Sequence, residues 1–592
     1  MSAALKLRPR DVPPRAAFAL EQAGVPPLLA RLYAARGVRD PQELDPALAH
    51  LLPPGTLRGM DAASRLLAQA VREQWPTTIV ADYDCDGASA CAVALRGLAL
   101  LGLAPDRLDF IVPDRQVHGY GLTPTIVDLI PPGTRLLLTV DNGIASLDGV
   151  RCARERGLKV LITDHHLPAV IDGQPVLPDA DAVVNPNQPD CGFASKHLAG
   201  VGVMFYVLMA TRAALRDSGH YPQGQPRLDD LLDLVALGTV ADVVRLDANN
   251  RRLVAQGLQR MRSGRLSPGV RALFVAAGRD PARACASDLG FAVGPRINAA
   301  GRLADMRIGI QCLATANEAE ATRLAEQLDQ INRERRGVES NMRDLAESQV
   351  LRLAQRALHE GQGDGQDGAS AAGLALFDDS FHEGVVGIVA GRLKDQLHRP
   401  VFVFAPGQDG LLKGSGRSIA GLHLRDALDW ISKQAPDLLV RFGGHAMAAG
   451  CTLRAGDFPA FERLFTAVTR AWLTPETLQR TLLTDGPLPA SAQTAQTARL
   501  LRDPVWGQGF EAPVFCDRVQ VLEQRLVGGR HTRLRVRALD SSSGASAAAG
   551  IYNAIWFGHT DPVPDTVALA YQLALDEFRG ADQVQWVVQA AV

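Results

Sequence analysis

The chain has 592 residues, 47% apolar and only 21% charged, which is enough to bury several cores and unlike a disordered polypeptide. A formal charge of −2 excludes the global basic footprint of a DNA-coating protein, so recognition of nucleic acid would rest on local arginines. No run of about 18 uncharged apolar residues suits a membrane span, residues 1–14 lack the apolar stretch of a signal peptide, and the eight cysteines form no CxxC pair. A cytoplasmic protein with reduced thiols, no zinc ribbon and no membrane partner is expected.

From Trp75 to Pro186, short apolar runs alternate with helix-like segments. The runs are Thr77 to Ala81, Leu108 to Val112, Leu136 to Val140, Lys159 to Thr163 and Asp181 to Val184. Such alternation predicts an α/β domain, a mostly parallel sheet covered on both faces. Residues 187–310 read as helical, with Leu231 to Val244 the clearest apolar helix. Ala316 to Glu360, free of Pro and rich in Ala, Leu, Glu, Gln and Arg, predicts one or two long helices connecting domains. Glu360 to Ala372 is Gly- and Asp-rich and predicts a loop. A second α/β unit is expected from about Leu374 to Leu453, with strands at Leu374 to Phe377 and Val401 to Phe404. Period-two alternation in Arg518 to Leu526, Thr532 to Leu539 and Val584 to Val588 predicts a β-rich C-terminal module.

The segment Ala81 to Gly87, ADYDCDG, stands at the carboxyl end of the first predicted strand. Its three alternating aspartates could converge on a cation. A calcium loop of EF-hand type fails here, because the twelfth position from Asp82 is Val93 rather than Glu and a strand precedes the motif. The same strand-end position recurs at Asp141-Asn142-Gly143 and at Asp164-His165-His166, and Asp242 ends the apolar helix. Taken singly, DNG is most often a turn, a His-His pair a loop or core feature, and Asp242 a helix terminus. Jointly those readings are weak, since ligands of open α/β sheets sit outside the carboxyl ends of the strands. Oxygen-rich ligation with imidazole and no thiolate suits Mn²⁺ or Mg²⁺. The carboxylates are too many for one ion, and two ions about 3.5–4 Å apart would activate a water for attack on phosphorus. Phosphoester hydrolysis is therefore predicted, and the absence of GxxxxGK[ST] argues against an NTP-driven motor.

These residues closely resemble the DHH phosphoesterase superfamily and, within it, the RecJ family of single-strand-specific exonucleases. The match runs through DYDCDG (82–87), VDNG (140–143), DHH (164–166), ADVV (241–244), GPRINAAGRL (294–303), HEGVVGIVAGRL (382–393), GSGRS (414–418) and GGHAMAAG (443–450). The resemblance implies Asp82, Asp84, Asp86, Asp141, His165 and Asp242 as metal ligands, with Asp141 the bridge between two Mn²⁺ or Mg²⁺ ions. It implies Asp164 and His166 as catalytic or supporting groups. Arg115, His118, Tyr120, Arg296, Asn298, Arg302, Ser415, Arg417 and His445 are substrate-binding candidates. Arg296 and Arg302 are read as flanking an Asn-Ala-Ala-Gly turn, and Arg417 as lying in a Gly/Ser-rich turn that could cradle a phosphate. Cys85 and Arg245 depart from the family's usual Ala and Pro.

The implied organisation is an N-terminal segment (1–70), a DHH catalytic domain with helical extension (71–310), a long connecting helix (311–360), a DHHA1 substrate-binding domain (373–455) and an OB-like C-terminal domain (456–592). A single DNA strand threading between the α/β units, and extended over the β-rich module, is the expected mode of binding. The implied function is a 5′-to-3′ exonuclease of single-stranded DNA that releases 5′-mononucleotides in repair and recombination. A RecQ-type helicase and a single-strand binding protein are partners by resemblance only. The enzymatic alternative is a DHH phosphoesterase for short oligonucleotides, cyclic dinucleotides or nucleotide bisphosphates. The non-enzymatic one is a scaffold that binds single strands without cutting them.

Overall fold

Thr77–Ala81 (β1), with the sequence TTIVA, is buried at every position, as a β-branched strand covered on both faces must be. The computed structural model describes residues 5–114, 117–360, 372–539, 550–576 and 583–592. Strands Leu108–Ile111 (β2), Leu136–Val140 (β3), Lys159–Thr163 (β4) and Ala182–Val184 (β5) join β1 in an all-parallel sheet of order β2-β1-β3-β4-β5. Register fixes the site. Ala81 pairs with Val140 and Val140 with Thr163, so Asp82, Asp141 and Asp164 all emerge at one edge.

Helix Cys85–Leu101 (α1) leaves that edge directly after β1. Asp84 caps it, accepting hydrogen bonds from the amides of Asp86 and Gly87, and Gly102 ends it at φ 110°. Helices Gly200–Asp217 (α2) and Leu232–Ala241 (α3) pack against α1. A continuous helix then runs from Ala286 to Leu303, with a π-helical turn over Leu289–Val293. The expected Asn-Ala-Ala-Gly turn is thus helix. Pro295 is the second residue of the regular segment Gly294–Leu303, directly after the π-helical turn, and Gly301 allows close packing, since a Cβ there would stand 2.0 Å from the Tyr83 carbonyl oxygen.

Helix Glu318–Glu360 is single and unbroken. The second sheet comprises Leu374–Phe377 (β6), Val401–Pro406 (β7), Leu411–Arg417 (β8), Arg441–Gly444 (β9) and Ala448–Arg454 (β10), in order β9-β10-β8-β7-β6. The Gly/Ser-rich segment expected as a turn is the central strand β8. Gly414 and Gly416 lie under the rings of Phe404 and Phe402, where a Cβ would come within 2.3 and 2.5 Å, so the glycines serve packing.

Strands Phe515–Val527 (β11), His531–Ala538 (β12), Ile551–Trp556 (β13), Thr566–Leu575 (β14) and Val584–Ala591 (β15) form a closed barrel of order β11-β12-β13-β15-β14, the five-stranded connectivity of an OB fold. The N-terminal segment, for which the sequence predicted no elements, contains helices Pro14–Gln22 and Pro27–Ala34 and a strand Lys6–Pro9 that pairs in parallel with Thr481–Thr484, and helix Met60–Arg72 crosses its expected boundary at residue 70.

The chain divides into two compact units, one of residues 1–9, 333–484 and 590–592, the other of residues 10–332 and 485–589. Among the described residues no helix is long and apolar enough to cross a membrane. Arg115 and residues 361–371 of the expected Gly- and Asp-rich loop lie outside the described residues.

Candidate metal centre

Seven of the residues singled out in the sequence converge at the carboxyl edge of the first sheet. Ligand-type atoms of Asp82, Asp84 and Asp141 lie within 4.8 Å of one another, as do those of Asp86, His165 and Asp242, and those of Asp141, His165 and His166. Asp141 and His165 each belong to two of these groups, which is the arrangement two neighbouring cations with a shared aspartate require.

Local structure fixes each side chain. The amides of Gly200 and Val201 at the start of α2 donate to Asp86 Oδ2 and Oδ1 at 2.7 and 3.0 Å. Asp164 accepts from the amides of Ile144, His165 and His166, and its Oδ1 lies 2.8 Å from His166 Nδ1. Asn185 and Asn187 donate to the carbonyls of His166 and His165 at 2.9 and 2.6 Å. Asn142 ties the edge together by donating to the carbonyls of Val80 and Val140. Asp141 sits at φ 63°, and Gly200 leaves it room, since a Cβ there would come 2.4 Å from Asp141 Oδ1.

The electrostatics call for a cation. His165 Nε2 lies 3.1 Å from Asp141 Oδ1, 3.5 Å from Asp242 Oδ2 and 3.9 Å from Asp86 Oδ2. Yet His165 Nε2, Asp141 Oδ1 and Asp242 Oδ2 are buried without a hydrogen-bond partner. Three orphaned polar atoms facing one another are costly unless an ion fills the space between them. Burial, then the charge of Asp86, pushes both Asp141 and Asp242 well above the carboxylate range. Burial, then Asp84, takes Asp82 up in the same way and Asp86 to about 7. Burial, then His166, holds His165 down at about 4, so it is a neutral ligand-type imidazole. For His166 burial acts downward, but the hydrogen bond and charge of Asp164 prevail and raise it to about 9. Burial also pushes the Cys85 thiol up, so it stays protonated and the donor set remains carboxylate and imidazole, suited to Mn²⁺ or Mg²⁺.

The other candidates fall in different places. Tyr120 lies beside the centre, its hydroxyl 3.3 Å from His166. His118 is turned back on its own loop, where Nδ1 accepts from the Asp114 amide. Asn298 accepts from the Cys85 amide at 2.8 Å and so braces the aspartate-rich loop from the Gly294–Leu303 helix. Arg296 differs from its expected role: it is buried, 2.8 Å from Asp329, and bonded to the Ala292 carbonyl, so the fold occupies its guanidinium. Arg302 is half-buried in the last turn of that helix. In the other unit, Ser415 and Arg417 share strand β8 and are hydrogen-bonded at 3.1 Å, and His445 stands in the β9–β10 turn. Gly200, Asn185 and Asn187 were missed, because nothing in their spacing ties them to the acidic motifs, and Asn142, though inside the VDNG motif, was given no role of its own.

A parallel sheet with acids and paired histidines at its carboxyl edge defines a metal-dependent hydrolase of the DHH kind. The DHH family, N-terminal domain, matches residues 76–239, the DHHA1 domain residues 368–471 and the RecJ OB domain residues 484–590. The chain is 44% identical over 594 residues to the single-stranded-DNA-specific exonuclease RecJ of Escherichia coli, covering 99% of each, and 45% identical over 572 residues to that of Salmonella typhimurium, covering 96% of each. Its fold is similar to the crystal structure of RecJ in complex with Mn²⁺ from Thermus thermophilus, with a TM-score of 0.76 at 30% identity over 99% of this chain and 79% of that one. The chain belongs to the RecJ family.

Proposed function

We propose that the protein is a single-stranded-DNA-specific exonuclease that hydrolyses phosphodiester bonds with two divalent cations, Mn²⁺ or Mg²⁺, and releases 5′-mononucleotides. The convergence of orphaned buried ligand atoms from Asp141, His165 and Asp242 carries this reading. Family membership supports the choice of DNA strand as substrate, and the 5′-to-3′ polarity follows the family resemblance. Bound cations would lower the pKa of a water and offset charge developing at the phosphorus. Asp82 and Asp84 would hold one ion, Asp86, His165 and Asp242 the other, and Asp141 both. Asp164 orients both histidines through its amide and ring contacts, leaving His166, with Tyr120 beside it, to face the scissile phosphate.

The barrel favours a polymer over the small-substrate alternative. Along β12, Thr532, Leu534 and Val536 are buried while Arg533, Arg535 and Arg537 alternate outward, and Arg533 pairs directly opposite Arg525. Like charges facing each other across strands destabilise a sheet unless an anion lies over them. A phosphate backbone is such an anion, and we assign this row to it. Function in repair and recombination, a cytoplasmic location, and work beside a RecQ-type helicase and a single-strand binding protein belong to the same proposal. Digestion of a long single strand and of a dinucleotide, compared at equal concentration, tests it: efficient cleavage of the strand supports it, and cleavage of the dinucleotide alone overturns it.

A further inference from the structure

Phe291 is 83% exposed, while Leu289 and Val293 on either side of it are fully buried. It sits on the π-helical turn Leu289–Val293, a distortion that gives up regular helical hydrogen bonds and is frequent at functional sites. This turn is clamped to the metal centre. A Cβ on Gly290 would stand 3.3 Å from Val240 Cγ1, and one on Gly294 3.0 Å from Ala241 Cβ, so the turn lies against the two residues that precede Asp242. Two turns further along the same helix, Asn298 accepts from the Cys85 amide of the aspartate-rich loop. Phe291 precedes Asn298 by seven positions, a rise of about 10 Å along the helix, and follows Gly290, which meets Val240 two residues before Asp242, so it stands on the stretch of helix that borders the centre. Val243, directly after Asp242, is also exposed and holds φ 61°, in the left-handed region that a β-branched residue rarely adopts.

We propose that Phe291 is a stacking platform for a base of the DNA strand whose backbone enters the metal centre. This rests on the reading of the protein as a nuclease of single strands. An unpaired base offers a π-face whatever its identity, and an aromatic ring held at the rim of a phosphate site meets it without reading sequence. Phe291 then acts as a positioning residue: it aligns the strand, and the metal-binding groups do the chemistry.

The test compares wild type with Phe291→Ala, Phe291→Leu and Phe291→Trp on single strands with Mn²⁺, each strand carrying one abasic site stepped along the chain from the cleaved end. Phe291→Ala is expected to raise KM about tenfold, the effect of losing one base–aromatic stack, with kcat little changed. Phe291→Leu should behave like Phe291→Ala, and Phe291→Trp like wild type. The abasic position that raises the wild-type KM should bring no further loss in Phe291→Ala. An unchanged KM for Phe291→Ala, a Phe291→Leu variant as good as Phe291→Trp, or an abasic penalty that persists undiminished in Phe291→Ala overturns the assignment. If wild type cleaves the strand and Phe291→Ala matches it, this inference alone fails; if wild type leaves the strand intact, the nuclease reading fails with it.

Discussion

Asp141 combines a backbone at φ 63° with a carboxylate buried among other acids. Left-handed backbone at a residue other than glycine costs roughly 1–3 kcal/mol, held by the surrounding structure for the sake of the site. Removing the charge relieves part of the conflict in the metal-free protein. Asp141→Asn should therefore melt at a higher temperature than wild type in EDTA, yet gain little from Mn²⁺, as read in thermal denaturation with and without the ion. The acids also set a pH dependence. Burial raises Asp86 to about 7 and lifts Asp141 and Asp242 above their unfolded value near 3.8, so they favour the folded state most when protonated. Their contribution is full below the unfolded carboxylate value and fades as pH rises through about 7, where the ion takes over from the proton. The rise in melting temperature caused by Mn²⁺ should accordingly be larger at about pH 8 than at about pH 5; an increase independent of pH would show that these carboxylates are not the ligands. The acids were legible in the sequence because each follows a strand or ends a helix. The charge states of His165 and His166 were not, since they depend on which ring Asp164 bonds. Arg296 was misread because its partner Asp329 lies on the long helix Glu318–Glu360, where no motif points to it.

At the scale of elements, aligned strand ends and a tightly seated helix make the centre. The start of α2 gives two amides to Asp86 and, through Gly200, room to Asp141. Gly200→Ala should leave the helix content intact by circular dichroism but lower kcat about 100-fold, the penalty of a displacement near 1 Å. Wild-type turnover in that variant would mean that Asp141 can move without consequence. The barrel makes a separable prediction. Replacing Arg533, Arg535 and Arg537 with Ala should weaken binding of a long single strand and reduce the slope of log affinity against log salt by about 2, while a dinucleotide is cleaved as before. An unchanged salt slope would remove β12 from the path of the strand. Period two in Thr532 to Leu539 was enough to find that strand, and β-branched runs were enough to find the parallel sheet. The segment Gly414 to Ser418 was taken for a turn because its glycines look like breakers, whereas they make room for Phe402 and Phe404. The π-helical turn has no comparable sequence signal.

Across the whole molecule, the order of catalytic sheet, long helix, second sheet and barrel follows the sequence pattern, since each element carries its own periodicity. Other features depend on partners distant in the chain. The strand Lys6–Pro9 pairs with Thr481–Thr484, and short edge pairings of that kind leave no periodic trace. Arg245, which departs from the family's Pro, meets Gly509 in the segment leading to the barrel, where a Cβ would come 2.7 Å from Arg245 Cγ. The central claim is that the cluster at the carboxyl edge of the first sheet hydrolyses single-stranded DNA through bound cations. Release of mononucleotides from a 5′-labelled single strand and from its duplex, with Mn²⁺ or EDTA, for wild type and Asp141→Ala, tests it most directly. The account predicts release from the single strand alone, dependent on Mn²⁺ and abolished in Asp141→Ala; release that survives EDTA or the substitution, or equal digestion of the blunt duplex, would contradict it.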